Sequence, residues 1–163
     1  MGSGKSTLGS RLAADLDIPF LDLDARIETE AGRSVRALFE SEGELGFRRR
    51  EHAALSALVT GAPVRCIVAT GGGVVELAAA PGLLQALGRI VWLRADPAAC
   101  IARLGDDAGA TRPLLDHDWR ARWDRRAPLY AALADAIVDT HPDPVEASLT
   151  ALQVVWNRRD PEV

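Results

Sequence analysis

The sequence predicts an α/β domain in which layers of helices cover both faces of a parallel sheet. Short β-rich segments alternate with helical segments along the chain, which is typical of parallel strands joined through helices. The predicted strands are apolar throughout, as expected for strands buried on both faces. A glycine-rich segment, Gly2-Ser3-Gly4-Lys5-Ser6-Thr7, stands directly before the first helical pattern, which is where a helix N-terminus can bind phosphate groups.

The first half of the chain is predicted to contain four helices and two strands. The helices are predicted from a shared apolar face in the first and from signals at the ends of the others. These signals are a stop at Gly32, a cap at Ser34 and a stop at Gly61-Ala62-Pro63. Apolar β-rich runs define the strands. The helices are expected at 6–15, 24–31, 34–40 and 45–58, and the strands at 18–22 and 64–69.

The second half is predicted to contain four further helices and two further strands. Pro81 opens one helix, and Pro128 should kink or divide another because proline lacks the N–H group that a helix interior needs. The polar stretch 105–111 is expected to be an exposed mobile loop. The helices are expected at 81–87, 97–104, 119–134 and 145–156, the strands at 89–93 and 136–138, and a polar tail at 158–163.

Composition and charge narrow the class of protein. Of the 163 residues, 48% are hydrophobic and 26% are charged, so residues 1–163 are expected to form one domain with a single core. The net charge of −4 argues against a nucleic-acid-binding protein. No apolar run approaches the length of a membrane span, and no secretory signal is visible. Cys66 and Cys100 are expected to be reduced thiols, and the protein to be cytoplasmic.

The segment at the start of the chain resembles the second half of a phosphate-binding loop. Gly4, Lys5 and Ser6 fill the last three positions of the pattern G-x-x-x-x-G-K-[ST], whose first glycine would fall two residues before Met1. In such loops backbone N–H groups surround phosphate oxygens, the lysine reaches the β- and γ-phosphates, and the hydroxyl group contacts Mg²⁺. A cloning remnant and an N-myristoylation signal are the alternative interpretations.

Polar groups follow two of the predicted strands. Asp22 and Asp24 come at the end of the first, where one carboxylate can hold Mg²⁺ through water and the other can orient a substrate hydroxyl group. An aspartate that only caps the next helix is the alternative. The three glycines 71–73 follow the second strand, and they either expose N–H groups to an anionic or hydroxylated ligand or form a tight turn.

Three arginines are candidates for binding anionic groups. Arg48 and Arg126 have the planar guanidinium that binds a carboxylate through two hydrogen bonds, although each could equally form a surface ion pair. Arg112 directly follows the polar loop, which suits a closing lid that brings positive charge to a transferring phosphoryl group.

Taken in order, these stretches resemble the shikimate kinase family over essentially the whole chain. The resemblance implies a P-loop kinase fold and ATP-dependent phosphorylation of the 3-hydroxyl group of shikimate, in the route to chorismate and the aromatic amino acids. It also implies a monomer whose ligands are shikimate, ATP and Mg²⁺. The matching stretches are Gly-Ser-Gly-Lys-Ser-Thr at 2–7, Asp-x-Asp at 22–24, Gly-Glu-x-Gly-Phe-Arg at 43–48, Thr-Gly-Gly-Gly at 70–73, Arg-Pro-Leu-Leu at 112–115, Arg-x-Pro-Leu-Tyr at 126–130 and Val-Asp-Thr at 138–140.

The resemblance also implies roles for individual residues. The nucleotide site would comprise Gly2, Ser3, Gly4, Lys5, Ser6 and Thr7, the lid residue Arg112 (lid at about 104–116), and Arg103 and Pro144 on either side of adenine. The shikimate site would comprise Asp24 at the hydroxyl group, Arg48 and Arg126 at the carboxylate, and Gly71, Gly72 and Gly73 as the pocket wall. Ser6 and, through water, Asp22 would hold Mg²⁺, and Lys5, Asp24 and Arg112 would act in catalysis.

One expectation concerns the order of strands. The family order is 2-3-1-4-5, in which strand 1 leads into the phosphate loop and lies between the strands at 64–69 and 89–93, but strand 1 is absent from this sequence. We therefore expect an in-frame upstream segment that encodes a β-rich run of about five residues. Without it the 163-residue chain should be poorly stable and nearly inactive. Another small-molecule kinase, such as gluconate kinase, and an inactive remnant are the alternatives.

Overall fold

The computed structural model describes residues 2–63, 65–104, 119–140 and 144–158, with the backbone alone at 101–104. The predicted helices and strands are confirmed, with shifts of a few residues at their ends. The helices are α1 (Lys5–Asp15), α2 (Leu23–Ala31), α3 (Val35–Gly61), α4 (Ala80–Leu87), α5 (Pro97–Leu104), α6 (Trp119–Leu133) and α7 (Val145–Asn157). The strands are β1 (Phe20–Asp22), β2 (Ile67–Ala69), β3 (Val91–Arg94) and β4 (Ala136–Asp139).

The strands form two parallel pairs. Strand β1 pairs with β2 in the register Phe20 to Ile67, and β3 pairs with β4 in the register Val91 to Ala136. These neighbours agree with the outer pairs of the expected order 2-3-1-4-5. Within the described ranges no ladder joins β2 to β3, so each pair forms a separate two-stranded sheet.

Helices cover both faces of the strands, giving the three-layer α/β/α arrangement that the sequence predicts. Successive strand residues point to opposite faces. Ile67 packs against the cluster formed by α1 and α7, whereas Val68 packs against the cluster formed by α2 and α3. The buried members of the first cluster are Leu8, Leu12, Val138, Leu149 and Leu152, and those of the second are Leu23, Ile27, Leu38, Phe47, Ala54 and Leu58.

The strands are less buried than the sequence predicts. The expectation of strands buried on both faces is wrong for most positions, since only Ala69 and Val138 are buried and Ile137 is 45% exposed. The cause is that each described strand has a ladder on one side only, which leaves its other edge uncovered by a neighbouring strand.

Glycine and proline affect two helices differently. Gly43, with φ 67° and ψ −177°, interrupts α3, which confirms two helical segments in this region. Arg50 bridges the interruption through two hydrogen bonds of 2.8 Å to Glu42. Pro128 lies inside α6 without dividing it. Pro128 and Asp124, whose carbonyl loses its helical donor, are both exposed, so water can hydrate that carbonyl. None of the described helices has the length and apolar character of a membrane span.

Candidate active site

The phosphate loop is built by glycines at the start of α1. Gly2 and Gly4 have φ angles of 72° and 86°, a region that side-chain-bearing residues rarely adopt, and Gly4 is the N-cap residue of α1. A Cβ atom at Gly2 would overlap the carbonyl group of Cys100, so the loop packs closely on α5. The helix therefore begins at Lys5 with its positive N-terminal end against the loop, as a phosphate site requires.

Asp22 links this loop to α2. Its Oδ2 accepts a hydrogen bond of 2.7 Å from the Ser6 hydroxyl group, and its Oδ1 accepts bonds of 3.0 and 3.3 Å from the N–H groups of Asp24 and Ala25. Asp22 therefore caps α2, and its other oxygen faces the phosphate loop; its part in binding Mg²⁺ stays a prediction.

The Ser6 hydroxyl group and the Asp22 carboxylate form a small set of hard oxygen donors that suits Mg²⁺. The described residues hold no group of three His, Cys, Asp or Glu side chains able to bind a metal. A Mg²⁺ ion at this point would therefore take most of its ligands from water and from a bound phosphate, as this ion commonly does.

The Arg48 guanidinium packs directly against Gly73. It occupies the space that a Cβ atom of residue 73 would take, so this close approach requires glycine. Arg48 donates a hydrogen bond of 2.9 Å to Glu44 and pairs with Glu51, whose side chain is only 1% exposed. The guanidinium is thus fixed from one side by carboxylates and from the other by the glycine turn.

Two carboxylates lie beside Gly71. From the position of an added Cβ atom at Gly71, Glu51 Oε1 is 2.5 Å away and Asp24 Oδ1 is 3.1 Å away. Burial is the main reason that the pKa of Glu51 is raised; Arg48 opposes this shift and Asp24 adds to it. Glu51 Oε1 is buried and accepts no hydrogen bond from any residue that the structure describes. Asp24, Glu51 and Arg48 therefore meet at one strand end with a buried acceptor among them.

Arg126 lies on the other side of the glycine turn, in α6. Its side chain is 9% exposed, and its Nε donates a hydrogen bond of 2.8 Å to Glu76. The Tyr130 hydroxyl group donates to the carbonyl of Gly72, and burial raises the pKa of Tyr130. These contacts hold α6 against the turn that follows β2.

A cavity of about 180 Å³ connects the two halves of the site. Ser3 and Lys5 line it from the phosphate loop, Gly71 and Gly72 from the turn, and Arg126 from α6. Its apolar wall includes the aromatic rings of Trp92, Trp119, Trp123 and Tyr130. A group bound at the phosphate loop and a second group bound at Arg126 would thus share one cavity.

Other predicted residues are less informative. Thr7 lies exposed in the first turn of α1, and Pro144 is the exposed N-cap residue of α7. Arg112 and the side chain of Arg103 lie outside the described residues, as does most of the predicted lid. Neither cysteine forms a disulfide; Cys100 is buried and Cys66 is only partly buried.

Three polar residues of the site were not found from the sequence. Glu51 follows Arg48 by three positions, one helical turn, and that spacing was a usable signal. Tyr130 lies within a noted motif but carried no predicted role. Glu76 gave no signal, because its partners in α6 lie far away in sequence.

Comparison with known proteins identifies the family. The shikimate kinase family model matches residues 1–156. A shikimate kinase of Pseudomonas paraeruginosa is 42% identical over 88% of this chain and 84% of its own length. One of Stenotrophomonas maltophilia is 38% identical over 98% of this chain and 92% of its own. The structure of the Acinetobacter baumannii shikimate kinase in complex with shikimate is 32% identical, with a TM-score of 0.85 over 98% of this chain and 90% of that chain. The chain therefore belongs to the shikimate kinase family.

Proposed function

We propose that this protein transfers the γ-phosphoryl group of ATP to the 3-hydroxyl group of shikimate, with the phosphate loop and the glycine turn as its two binding regions. The observation that carries this proposal is the single cavity lined by both Lys5 and Arg126. In-line transfer needs a phosphate site and an acceptor site that open into one space closed to bulk water.

On the nucleotide side, Lys5 neutralises charge on the β- and γ-phosphates, and the backbone N–H groups of residues 2–7 surround the phosphate oxygens. Ser6 and Asp22 are the residues that would hold Mg²⁺. When bound, Mg²⁺ supplies positive charge that stabilises the phosphoryl group during transfer. We expect Arg112 to act from the lid, and Arg103 and Pro144 to enclose adenine.

On the acceptor side, Asp24 accepts a hydrogen bond from the 3-hydroxyl group and orients its oxygen toward the phosphate. Arg48 and Arg126 hold the shikimate carboxylate, and Gly71, Gly72 and Gly73 form the wall between these arginines. The absence of Cβ atoms along this wall lets Arg48 approach the turn closely. We further expect a cytoplasmic monomer of residues 1–163 that binds neither nucleic acid nor membranes.

The test is a coupled assay of ADP release with ATP, Mg²⁺ and shikimate, and with gluconate as an alternative acceptor. From protein that is stably folded, we expect turnover with shikimate and none with gluconate. The variant Lys5→Ala should lose most of the turnover with shikimate. The control Arg26→Ala removes an exposed positive charge in α2 and should keep that turnover. A protein that prefers gluconate, or a stably folded protein that phosphorylates neither acceptor, would overturn the proposal.

Lys5 offers a second, independent readout, since it is the only lysine of the chain. A lysine-selective reagent should label Lys5, and ATP with Mg²⁺ should protect it while shikimate alone should not. Labelling that is equally fast with and without ATP would contradict the placement of Lys5 at the phosphates.

A further inference from the structure

Glu76 is one carboxylate shared by two adjacent arginines of α6. Its Oε1 accepts a hydrogen bond of 2.7 Å from Arg125 Nε, and its Oε2 accepts one of 2.8 Å from Arg126 Nε. The side chain of Arg125 is 57% exposed, whereas those of Glu76 and Arg126 are 20% and 9% exposed. Glu76 is thus a mostly buried carboxylate. Its Oε2 is bound by the buried Arg126, and its Oε1 is bound by the exposed Arg125.

The contact leaves part of the Arg126 guanidinium available. A guanidinium carries five N–H donors in a rigid plane. Glu76 Oε2 lies 2.8 Å from Nε and 2.6 Å from Nη2, so it occupies the edge that contains Nε. Nη2 is buried and ion-paired with Glu76, but no described residue accepts a well-aligned hydrogen bond from it. A ligand carboxylate beside Nη2 would give the buried N–H groups there a well-aligned acceptor.

Glu76 also ties Arg126 to the acceptor wall. It is the last residue of a 3₁₀ turn, Val74–Glu76, which directly follows Gly73. Arg48 packs on Gly73, and Tyr130 of α6 donates to Gly72. Both guanidinium groups of the proposed carboxylate site therefore contact one short segment of backbone. Arg48 packs against it directly, and Arg126 is attached to it through Glu76.

We propose that Glu76 is a positioning residue that holds the guanidinium of Arg126 by its Nε edge and so presents the remaining donors to the carboxylate of the acceptor. This inference rests on the proposed function, because it takes Arg126 as a carboxylate-binding residue. Glu76 itself does not touch the acceptor. Arg125 keeps the acid in place by occupying its other oxygen.

The central variant is Glu76→Gln, which removes the charge and keeps the size of the side chain. We expect the Kd of shikimate, measured by calorimetry, and the KM of shikimate to rise about tenfold, which is about 1.4 kcal/mol. The Kd of ATP and kcat should change less than about twofold, since bound shikimate still reaches the same geometry. The matched control is Glu30→Gln, an exposed acid paired with Arg26 at 2.7 Å in α2, which should change none of these values.

Two further measurements separate positioning from a general structural role. In a protein that already carries Arg126→Gln, the change Glu76→Gln should weaken shikimate binding no further, because Glu76 acts through Arg126. The amide of shikimate, which lacks the charged carboxylate, should bind the parent protein and Glu76→Gln equally. A merely structural loss would weaken binding of both ligands and of ATP.

Three results would overturn the proposal: unchanged shikimate binding in Glu76→Gln, tighter binding, which would make Glu76 a competitor of the substrate, or an equal loss with the amide. Failure of the proposed function is distinguishable, because a stably folded parent protein would then not phosphorylate shikimate at all. A parent that is active and loses shikimate binding on Arg126→Gln, but not on Glu76→Gln, would refute the role of Glu76 alone.

Discussion

The substitution Gly73→Ala tests the close packing of Arg48 on the glycine turn. Gly73 has φ −90° and ψ −7°, which alanine adopts without strain, so any effect comes from the added Cβ atom. That atom would overlap the guanidinium carbon and both terminal nitrogens of Arg48. To restore ordinary contact the guanidinium must move by about 1 Å. It cannot move freely, because it is paired with Glu51, which is buried at 1% exposure.

The expected magnitudes follow from this displacement. Insertion of a methyl group into a packed site costs about 1–3 kcal/mol of stability. For a chain of 163 residues this lowers Tm by about 2–4 °C per kcal/mol. Misplacement of a binding group by about 1 Å can lower catalytic efficiency about 100-fold. We therefore expect the KM of shikimate to rise about 10- to 100-fold while the Kd of ATP stays constant.

The assay is steady-state kinetics with varied shikimate at saturating ATP, together with thermal melts. The matched control is Gly82→Ala in α4, where an added Cβ atom meets nothing within 4 Å. That control should leave the KM unchanged and stabilise the helix by up to about 1 kcal/mol. A Gly73→Ala protein with the KM and Tm of its parent would refute the argument that Arg48 is fixed against the turn.

Three further predictions concern the carboxylates and the hydroxyl group of the site. Asp24→Asn should lower kcat about 10²- to 10⁴-fold with little change in the Kd of ATP, because an amide is a poor acceptor for the hydroxyl proton; stopped-flow kinetics would measure this. Ser6→Ala should raise the Mg²⁺ concentration needed for half-maximal activity about tenfold, since it removes one oxygen donor; a Mg²⁺ titration would measure this. Burial alone would raise the pKa of Glu76, but hydrogen bonds from Arg126 and Arg125 outweigh it and hold that pKa below 4.5. The folded state therefore binds fewer protons than the unfolded state just below pH 4.5, so Glu76 should stabilise the fold above this pH and lose its effect as the pH falls. Thermal melts of parent and Glu76→Gln should then differ by a constant amount above about pH 4.5 and converge below it.

Each of these has a clear contrary result. An equal loss of kcat and of ATP affinity in Asp24→Asn would show that Asp24 supports the fold as a whole and does not act on the acceptor. An unchanged Mg²⁺ dependence in Ser6→Ala would remove Ser6 from the metal site. A Tm difference between the parent protein and Glu76→Gln that grows as the pH falls would show that the pKa of Glu76 is raised and not lowered.

The sequence by itself determined most of the fold and much of the site. Hydrophobic periodicity and stop signals located the described α-helices and strands to within a few residues, though not the 3₁₀ turn Val74–Glu76, because these signals depend on residues close together in the chain. The pattern around Lys5 and Ser6 predicted the phosphate loop, since its glycine conformations and the helix that follows are local properties. The order of motifs identified the family, which the relatives then confirmed.

Only the tertiary structure decided how the polar groups share their partners. Asp22 divides its two oxygens between a helix cap and Ser6, and the sequence could not choose between those roles. Arg48 is ion-paired with Glu51 and Arg126 with Glu76. Glu76 is about fifty residues away in sequence from the arginine it binds. Local propensities say which element a residue joins, but hydrogen bonds between elements depend on distances that only the packed layers fix. The partial exposure of the strands has the same origin, because a residue's burial depends on what lies beside it in space and not on its own polarity.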